Sequence, residues 1–395
     1  MITVIGCDGA PPRPEAAAAL AAAGRVVGTR RHLDSMPIPA SAERVELKAL
    51  DQALDTICET QGETQGRVVV LASGDPGFFG IVRAIRARGE QPEVIPAVSS
   101  VALAFARLGL DWDDALVVSA HGRDPQRAVA AALAHPKAAI LTAPGTAREL
   151  GAELQAGERT VYVAERLGTP EERIGKLTGA DPAEPNVLIA IDECVAGPPS
   201  APRWLAGHTG APGQWALPED AFEHRDSMIT KAEIRALVLA RLGPAPGRTI
   251  WDIGAGSGSV AVECARFGAW TVAVEQDPGQ CRRIRRNAAT YGVYLRVLEG
   301  QAPQALIGQP RPDAIFAGGG DNATLAAMIQ TSTPDRVVVT LAAVDRVGGV
   351  TRLLGELGYR YDGVQLQASR LASLPNGTHR LTAQNPVFVV WGERG

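Results

Sequence analysis

Short apolar strands alternate with alanine-rich helical stretches along most of the chain, and this alternation limits the fold more than any other feature. Because a strand–helix–strand unit buries its helix against a parallel sheet, the pattern predicts an α/β protein. In the first half a helix is predicted at 14–23. The strands predicted there are 2–6, 67–72, 93–95, 116–119, 138–141, 160–164 and 186–192.

The alternation stops between about residues 196 and 225, a stretch that is rich in Gly, Pro and Trp and shows no periodicity. We interpret 196–225 as a linker between two domains. The patterns on its two sides differ, and no internal repeat relates them. The sequence therefore predicts two different α/β domains, at 1–195 and 226–395.

The second domain is predicted to begin with a helix and to end without one. A helical pattern resumes at Thr230, and the strands predicted after it are 249–253, 270–275, 295–298, 313–316 and 336–341. The last two predicted strands, 361–368 and 386–391, have no helix between them. Such a pair predicts an antiparallel end to an otherwise parallel sheet.

Charge and composition exclude several classes of partner. The 395 residues include 39 Lys and Arg against 43 Asp and Glu, which disfavours a protein that holds long nucleic acid by its phosphates. No apolar run approaches the ~18 residues needed to cross a bilayer, and the first residues lack the basic start of a signal peptide. We therefore predict a cytoplasmic protein with no nucleic-acid or membrane partner.

The five cysteines and six histidines show no metal-binding pattern. No two cysteines form a CxxC pair, and the histidines lack an HExxH or similar spacing. An odd number of widely spaced cysteines also disfavours a disulfide framework. We predict free thiols and no metal site.

A glycine-rich loop follows the first predicted strand of the second domain. The sequence D-I-G-A-G-S-G-S at 252–259 ends this strand and begins a helix, where glycines allow a ligand to approach the backbone and free N–H groups are available. A dinucleotide loop needs glycine where Ser259 stands, and Asp252 would repel a pyrophosphate. Glu275 ends the next strand, where an acid can accept hydrogen bonds from ribose hydroxyls.

With these features, residues 226–395 resemble a class I S-adenosylmethionine (SAM)-dependent methyltransferase with a Rossmann-like sheet. SAM carries an amine and a sulfonium and no phosphate, which suits a buried carboxylate. The resemblance implies cofactor contacts at Thr230, Asp252, Gly254, Ala255, Gly256, Ser257, Gly258, Glu275, Gln301 and Ala302. Gly318, Gly319 and Gly320 leave side-chain-free room nearby, enough for a large flat substrate, and the run is also consistent with a flexible turn.

Two loops of the first domain follow predicted strands, at the edge where open α/β sheets bind ligands. They are S-G-D-P at 73–76 and S-S at 99–100, and taken alone each is equally consistent with a turn or a helix cap. Together with S-A-H-G-R at 119–123 and the segment 163–174, they resemble the tetrapyrrole methylases, the class III SAM-dependent methyltransferases. The resemblance covers about residues 1–195 and implies a fold of two α/β subdomains. It also implies cofactor contacts at Gly6, Gly74, Asp75, Phe78, Ser99 and Ser100.

A tetrapyrrole methylase fused ahead of a class I methyltransferase resembles the two-domain methyltransferases of cobalamin (vitamin B12) biosynthesis. The resemblance implies two C-methylations of one small-molecule tetrapyrrole, at C5 by the first domain and at C15 by the second, which also removes CO₂ from the acetate on C12. Because the substrate is a polycarboxylate, basic contacts are expected, and Arg123, Arg225 and Lys231 are candidates. His121 is the best-placed titratable residue, and we favour a binding or structural role for it over acid–base catalysis.

Three alternatives come from other classes. An RNA methyltransferase is disfavoured by the acidic net charge and an aromatic content of 5%, and an NAD-dependent oxidoreductase by Asp252 and Ser259. A SAM-binding regulatory protein without catalysis stays open. The resemblance favours a metal-free macrocycle as substrate and a homo-oligomeric protein.

Overall fold

The computed structural model describes residues 1–47, 54, 57, 67–121, 124–193, 212–225 and 229–395. The chain forms two units. Unit 1 comprises Met1–Arg123 and Lys137–Gly207, and unit 2 comprises Asp124–Pro136 and His208–Gly395. Within the described ranges, no helix has both the length and the apolar character that a bilayer crossing needs.

The first sheet of unit 1 is parallel throughout. Its strands are β1 (Ile2–Cys7), β2 (Ala23–Gly28), β3 (Glu43–Glu46), β4 (Arg67–Ser73) and β5 (Glu93–Ile95), in the spatial order β3-β2-β4-β1-β5. The helices that belong to this part are α1 (Pro14–Ala21), α2 (Arg30–Ser35), α3 (Ile81–Ala87) and α4 (Ser100–Leu108). Val26 and Val27 lie in apolar clusters on opposite faces of the sheet, as expected where helices cover a parallel sheet on both sides.

The second sheet of unit 1 is mixed. Its strands are β6 (Leu116–Ser119), β7 (Lys137–Leu141), β8 (Thr160–Glu165), β9 (Arg173–Lys176) and β10 (Asn186–Ile191), in the order β6-β7-β10-β8-β9. Only the β6–β7 pair is parallel among these described strands. Helix α5 (Pro125–Leu133) interrupts the segment between β6 and β7 and belongs to unit 2, whereas α6 (Ala147–Ala156) belongs to unit 1. The prediction of two α/β subdomains in the first half is confirmed.

Unit 2 is built on a seven-stranded sheet. Its helices are α7 (Ala232–Leu242), α8 (Ser259–Arg266), α9 (Pro278–Thr290), α10 (Asn322–Ser332) and α11 (Val347–Glu356). Its strands are β11 (Thr249–Ile253), β12 (Trp270–Glu275), β13 (Arg296–Glu299), β14 (Ala314–Ala317), β15 (Arg336–Leu341), β16 (Tyr359–Leu366), β17 (Ser369–Ser373), β18 (His379–Ala383) and β19 (Val387–Arg394). The sheet has the order β13-β12-β11-β14-β15-β19-β16, and β17 and β18 form a separate hairpin.

The antiparallel end of unit 2 is confirmed, because β19 pairs antiparallel with both β15 and β16. The hairpin of β17 and β18 lies between the two predicted strands and was not predicted. In unit 1, β2, β3 and β9 were not predicted either. The strands β3 and β9 have four residues each, too few to establish a period in the sequence.

Part of the segment predicted as a linker makes ordered contacts within unit 2. The backbone N–H groups of Ala216 and Leu217 donate to the Glu263 carboxylate, at 2.9 Å each. Phe222 is buried in a cluster with Val262 on α8. The part of the predicted linker from about residue 214 onward is therefore an extension of unit 2, held by the buried carboxylate of Glu263. The periodicity of the sequence gives no sign of this contact.

Candidate active sites

The carboxyl ends of four adjacent parallel strands meet at one edge of unit 2. In spatial order these strands are β13, β12, β11 and β14. Gln301 and Ala302 follow β13, and Glu275 is the last residue of β12. The glycine loop 254–258 follows β11, and Gly318–Gly320 follow β14. The structure thus brings together at one edge most of the residues that the sequence predicted as cofactor contacts in this half.

The glycine loop leaves open space beside two of its glycines. Gly254 and Gly256 have φ of +68° and +55°, and an added Cβ at either position would find nothing within 4 Å. Gly258 differs, because its Cβ would lie 2.8 Å from Cγ2 of Ile284 on α9. The first two glycines therefore keep a surface free on which a ligand can lie, while Gly258 allows α8 and α9 to pack closely.

Glu275 lies directly beside this loop. Its Oε2 accepts a hydrogen bond from the Gly256 N–H at 2.9 Å, and its Oε1 accepts one from the Asp277 N–H at 2.9 Å. The carboxylate is thus fixed at the carboxyl end of β12, next to the open face of the loop. This is the place predicted for the acid that binds ribose hydroxyls.

Asp252 is buried under the loop and is only half satisfied. Its Oδ2 accepts a hydrogen bond from the Ala261 N–H at 2.9 Å in the first turn of α8, while its Oδ1 is buried with no hydrogen-bond partner. The pKa of Asp252 is raised to about 7, mainly by burial, while the Ala261 hydrogen bond opposes the rise and the nearby Glu275 adds to it. A buried carboxyl oxygen without a partner fits a cationic group of a bound ligand.

The other predicted residues of this half have mixed positions. Thr230 and Lys231 lie half-buried directly before α7. Arg225 is exposed and pairs with Asp277, with 3.5 Å between Nη1 and Oδ2. Its charge is therefore engaged within the protein, which weakens its case as a substrate contact. Arg346 donates a hydrogen bond to the Gly320 carbonyl and holds one end of the triple-glycine turn.

Unit 1 contains a cavity of about 400 Å³ at the carboxyl ends of its strands. A volume of this size is within the range of small-molecule sites. Predicted residues that line it are Gly74, Asp75, Phe78, Ser99, Ser100 and His121. His121 is exposed, and Arg123 lies outside the described residues. The loops after β4, β5 and β6 thus contribute to a single concave site, as the sequence predicted.

Several of these polar residues also have a local structural role. The Asp75 carboxylate accepts a hydrogen bond from the Gly77 N–H at 2.8 Å and shapes the turn. The Ser99 hydroxyl oxygen accepts one from the Ala102 N–H at 3.1 Å and caps α4. The interpretation of these loops as a turn and a helix cap is therefore correct for the side chains of Asp75 and Ser99. Both residues also line the cavity.

Gly6 was predicted as a cofactor contact, and the structure gives it a packing role. An added Cβ would lie 2.4 Å from the Gly74 carbonyl oxygen and 2.5 Å from the Ala97 nitrogen. Gly6 is not among the described residues that line the cavity. Only a glycine allows the ends of β1, β4 and β5 to approach this closely.

The first turn of unit 1 also contacts the segment 163–174. At Gly168, an added Cβ would lie 1.7 Å from the Asp8 carbonyl oxygen, and at Gly9 it would lie 2.1 Å from the Gly168 carbonyl oxygen. The two glycines therefore bring the loop after β1 against the loop between β8 and β9. This contact connects the two sheets of unit 1 beside the cavity.

Sequence reasoning missed a polar cluster on the cavity wall formed by Arg31, His32 and Ser73. Nη2 of Arg31 lies 3.0 Å from the Ser73 hydroxyl and 3.1 Å from Nε2 of His32. Arg31 and Ser73 line the cavity, and His32 is buried behind them. The signal was present in G-T-R-R-H at 28–32, but without β2 it was not recognisable as a strand-end loop.

Two family models match the chain, one in each half. A model for tetrapyrrole (corrin/porphyrin) methylases matches residues 14–183, and a model for a precorrin methyltransferase domain matches residues 220–388. Among solved structures, the chain is similar to the C-terminal domain of precorrin-6Y C5,15-methyltransferase from Rhodobacter capsulatus. The identity is 31%, the TM-score is 0.41, and the match covers 45% of this chain and 97% of the other.

Two curated relatives differ in how much of the chain they match. The precorrin-6Y C5,15-methyltransferase (decarboxylating) of a Sinorhizobium species is 37% identical over 366 residues, which cover 87% of this chain and 85% of the relative. The cobalt-precorrin-6B C15-methyltransferase (decarboxylating) of Pyrobaculum calidifontis is 32% identical over 183 residues, which cover 44% of this chain and 93% of the relative.

Proposed function

The chain belongs to the family of decarboxylating precorrin-6Y C5,15-methyltransferases, and from that premise we propose that it methylates precorrin-6B at C5 and C15 in cobalamin biosynthesis. It uses SAM as methyl donor, removes CO₂ from the acetate on C12, and releases precorrin-8X. A cytoplasmic location, a homo-oligomeric state and a cobalt-free substrate stay predictions.

The observation that carries the proposal is the coverage of the match. One relative with both methylations in its name spans 87% of this chain, so both halves are accounted for together. The relative named for C15 methylation and decarboxylation matches 44% of the chain and 93% of itself. This difference supports a division of the two methylations between two halves of one protein.

The residues of unit 2 fit SAM. The open space at Gly254 and Gly256 accepts a ligand against the backbone, and the unpartnered Oδ1 of Asp252 suits a cationic ligand. Glu275 is fixed beside the loop where ribose hydroxyls can reach a carboxylate. In unit 1, the cavity lined by Gly74, Asp75 and Ser99 is the second SAM site.

The main task of the protein in this reaction is to position the methyl donor against the ring carbon. Each transfer forms a bond between the donated methyl group and a ring carbon, and the electron pair of the broken methyl–sulfur bond returns to sulfur. The pyrrole nitrogens supply electrons to the ring carbon, so no strong general base is required. The protein must align methyl group and carbon and exclude water. His121, exposed at the cavity, keeps the binding or structural role predicted for it.

We assign C5 methylation to unit 1 and C15 methylation with decarboxylation to unit 2. Loss of CO₂ requires a pocket that desolvates one acetate. The electron pair left behind is delocalised into the conjugated ring until the exocyclic carbon takes up a proton and becomes a methyl group. Gly318, Gly319 and Gly320 follow β14 beside the glycine loop, and an added Cβ at the last two would find nothing within 4 Å. This space accommodates a flat macrocycle next to the transferred methyl group.

Mass spectrometry of the product formed from precorrin-6B and SAM tests the proposal. The wild-type chain is expected to add two methyl groups and remove one CO₂. A variant carrying both Gly74→Arg and Asp75→Ala blocks the site in unit 1, so its product should carry one new methyl group and lack the carboxyl group.

The reciprocal variant Gly254→Arg fills the open side of the loop in unit 2. Its product should carry one new methyl group and keep the acetate. If the two variants give the opposite products, the assignment of the reactions to the two units is reversed. If the wild-type chain adds no methyl group to precorrin-6B, the proposed function is wrong.

A further inference from the structure

The cavity of unit 1 has an uneven distribution of charge. Three carboxylates line it, and each accepts a hydrogen bond from a backbone N–H: Asp8 from Val98 at 3.3 Å, Asp75 from Gly77 at 2.8 Å, and Glu184 from Gly145 at 2.7 Å. Arg31 is the single lysine or arginine among the described residues that line the cavity. A ligand with several carboxylates therefore meets three repulsive points on this wall and one attractive point.

The guanidinium of Arg31 is held by neutral partners. Nη2 lies 3.0 Å from the Ser73 hydroxyl oxygen and 3.1 Å from Nε2 of His32, and neither group neutralises its charge. Among the described residues, no carboxylate forms an ion pair with Arg31. The neighbouring Arg30 differs, because its Nε lies 3.9 Å from Oδ2 of Asp34.

His32 is placed to hold Arg31 without competing for its ligand. The imidazole is 4% exposed, and burial together with Arg31 lowers the pKa of His32 to about 4. The neutral ring accepts a hydrogen bond from Arg31 at Nε2, which leaves the proton on Nδ1 to donate to the Thr29 hydroxyl at 3.2 Å. The chain Thr29–His32–Arg31 thus fixes the guanidinium on the cavity wall and keeps its full charge.

We propose that Arg31 binds a carboxylate of the tetrapyrrole substrate in the cavity of unit 1, and that His32 is the positioning residue that aims it. The inference rests on the proposed function, because that function supplies a polycarboxylate substrate. A planar guanidinium can bind a carboxylate through two parallel hydrogen bonds. Arg31 would thereby set the orientation in which C5 faces the methyl donor.

The position of Arg31 in the sheet favours the tetrapyrrole over SAM as the source of the carboxylate. Arg31 follows β2, while Ser99 and Ser100, predicted for SAM, follow β5. The strands β4 and β1 lie between β2 and β5, and neighbouring strands are about 4.8 Å apart. Arg31 therefore lies on the far side of the cavity from Ser99 and Ser100. Gly74 and Asp75, also predicted for SAM, follow the adjacent strand β4, so the comparison of KM for the two substrates decides the source of the carboxylate.

The test uses the full-length chain with precorrin-6B and SAM and compares Arg31→Gln, Arg31→Lys and the matched control Arg30→Gln. For C5 methylation, Arg31→Gln should raise KM for the tetrapyrrole about 10- to 100-fold, the range for losing a charged hydrogen-bond partner. KM for SAM should change less than about twofold, and Arg31→Lys should recover part of the loss. In the Arg31 variants, decarboxylation and C15 methylation should proceed as in the wild type. All kinetic constants of the control Arg30→Gln should match those of the wild type.

His32 is tested by the pair His32→Gln and His32→Ala. Glutamine offers an acceptor to Arg31 and should keep KM for the tetrapyrrole within a few-fold of wild type, whereas alanine should raise it towards the value of Arg31→Gln. A purely structural role would instead lower the thermal stability of unit 1 in both variants without this split in KM. That result would overturn the role assigned to His32.

Three results would overturn the role of Arg31. An unchanged KM for the tetrapyrrole in Arg31→Gln would show that the residue does not contact this substrate. An equal rise in KM for SAM would identify Arg31 as a cofactor contact. An equal rise in KM for the tetrapyrrole in Arg30→Gln would show that only the overall positive charge matters and not the position of Arg31. A wild-type chain inactive on precorrin-6B would instead count against the proposed function.

Discussion

Two sets of glycines, one in each unit, serve opposite purposes. In unit 1, Gly6, Gly9 and Gly168 lie where an added Cβ would overlap backbone atoms at 1.7–2.5 Å, so these glycines let protein pack on protein. In unit 2, Gly254 and Gly256 lie where an added Cβ would find nothing within 4 Å, so they keep a surface clear. Glycines near the end of β1 thus allow close packing of protein segments, whereas glycines after β11 leave a surface open to a ligand.

The difference matters for reading glycine motifs. A glycine motif shows that backbone must be approached closely, but it does not show whether protein or ligand makes the approach. Substitutions at the two kinds of glycine should therefore separate stability from binding.

Gly168→Ala should destabilise unit 1 by about 3–5 kcal/mol, because a Cβ there overlaps the Asp8 carbonyl oxygen and the residue also has φ of +77°. Urea unfolding of the full chain, followed by probes of both units, measures the change. Gly175→Ala is the matched control, since its Cβ meets nothing within 4 Å. Equal urea midpoints for Gly168→Ala and Gly175→Ala would contradict the close packing of Gly168 against Asp8.

Asp252→Asn should stabilise unit 2 at pH 8 by about 2–4 kcal/mol, because the neutral amide removes the cost of a buried charge. Folding raises the pKa of Asp252 from 3.8 to about 7. Between these two pH values the folded state holds a proton that the unfolded state has released. The wild type should therefore lose stability as pH rises from about 4 to about 7, and the variant should not.

Chemical unfolding at pH 5 and pH 8 measures this effect, with the exposed Asp345→Asn as control. The same Asp252→Asn variant should bind SAM more weakly in unit 2, because a cationic group loses its anionic partner. Stability and binding should thus change in opposite directions. A variant that is less stable at pH 8, or that binds SAM as well as wild type, would contradict the assignment.

Glu275→Ala should weaken SAM binding to unit 2 by about 1.5–3 kcal/mol through loss of a charged hydrogen-bond partner. Calorimetry on a full chain that also carries Gly74→Arg and Asp75→Ala isolates this site. Glu299→Ala is the control, since Glu299 ends the neighbouring strand β13 and is exposed. An affinity unchanged by Glu275→Ala would remove the ribose assignment.

Gly256→Ala should have the smallest effect on stability, about 1–2 kcal/mol, because its only cost is a φ of +55° in open space. Gly258→Ala should cost more, since its Cβ also meets Ile284 at 2.8 Å. Thermal unfolding compares the two. Gly256→Ala should nevertheless lower SAM affinity, and normal binding would show that this face of the loop is not the ligand surface.

The sequence by itself determined the α/β class, the division into two different halves and most strand positions, because burial on both faces of a parallel sheet demands continuous apolar runs. It also determined the strand-end loops around Asp75, Asp252 and Glu275. These signals are local, since each depends on residues within one strand and the turn that follows it.

Tertiary structure alone decided which distant residues meet. Gly168 contacts Asp8 across 160 positions, and Glu263 binds the backbone of 216–217, so neither partner carries a sign of the other in the sequence. The cluster of Arg31, His32 and Ser73 was not recognised either, because G-T-R-R-H at 28–32 becomes a strand-end loop beside Ser73 only when β2 lies next to β4. Sheet order brings such side chains together, and sheet order is set by the packing of the whole unit.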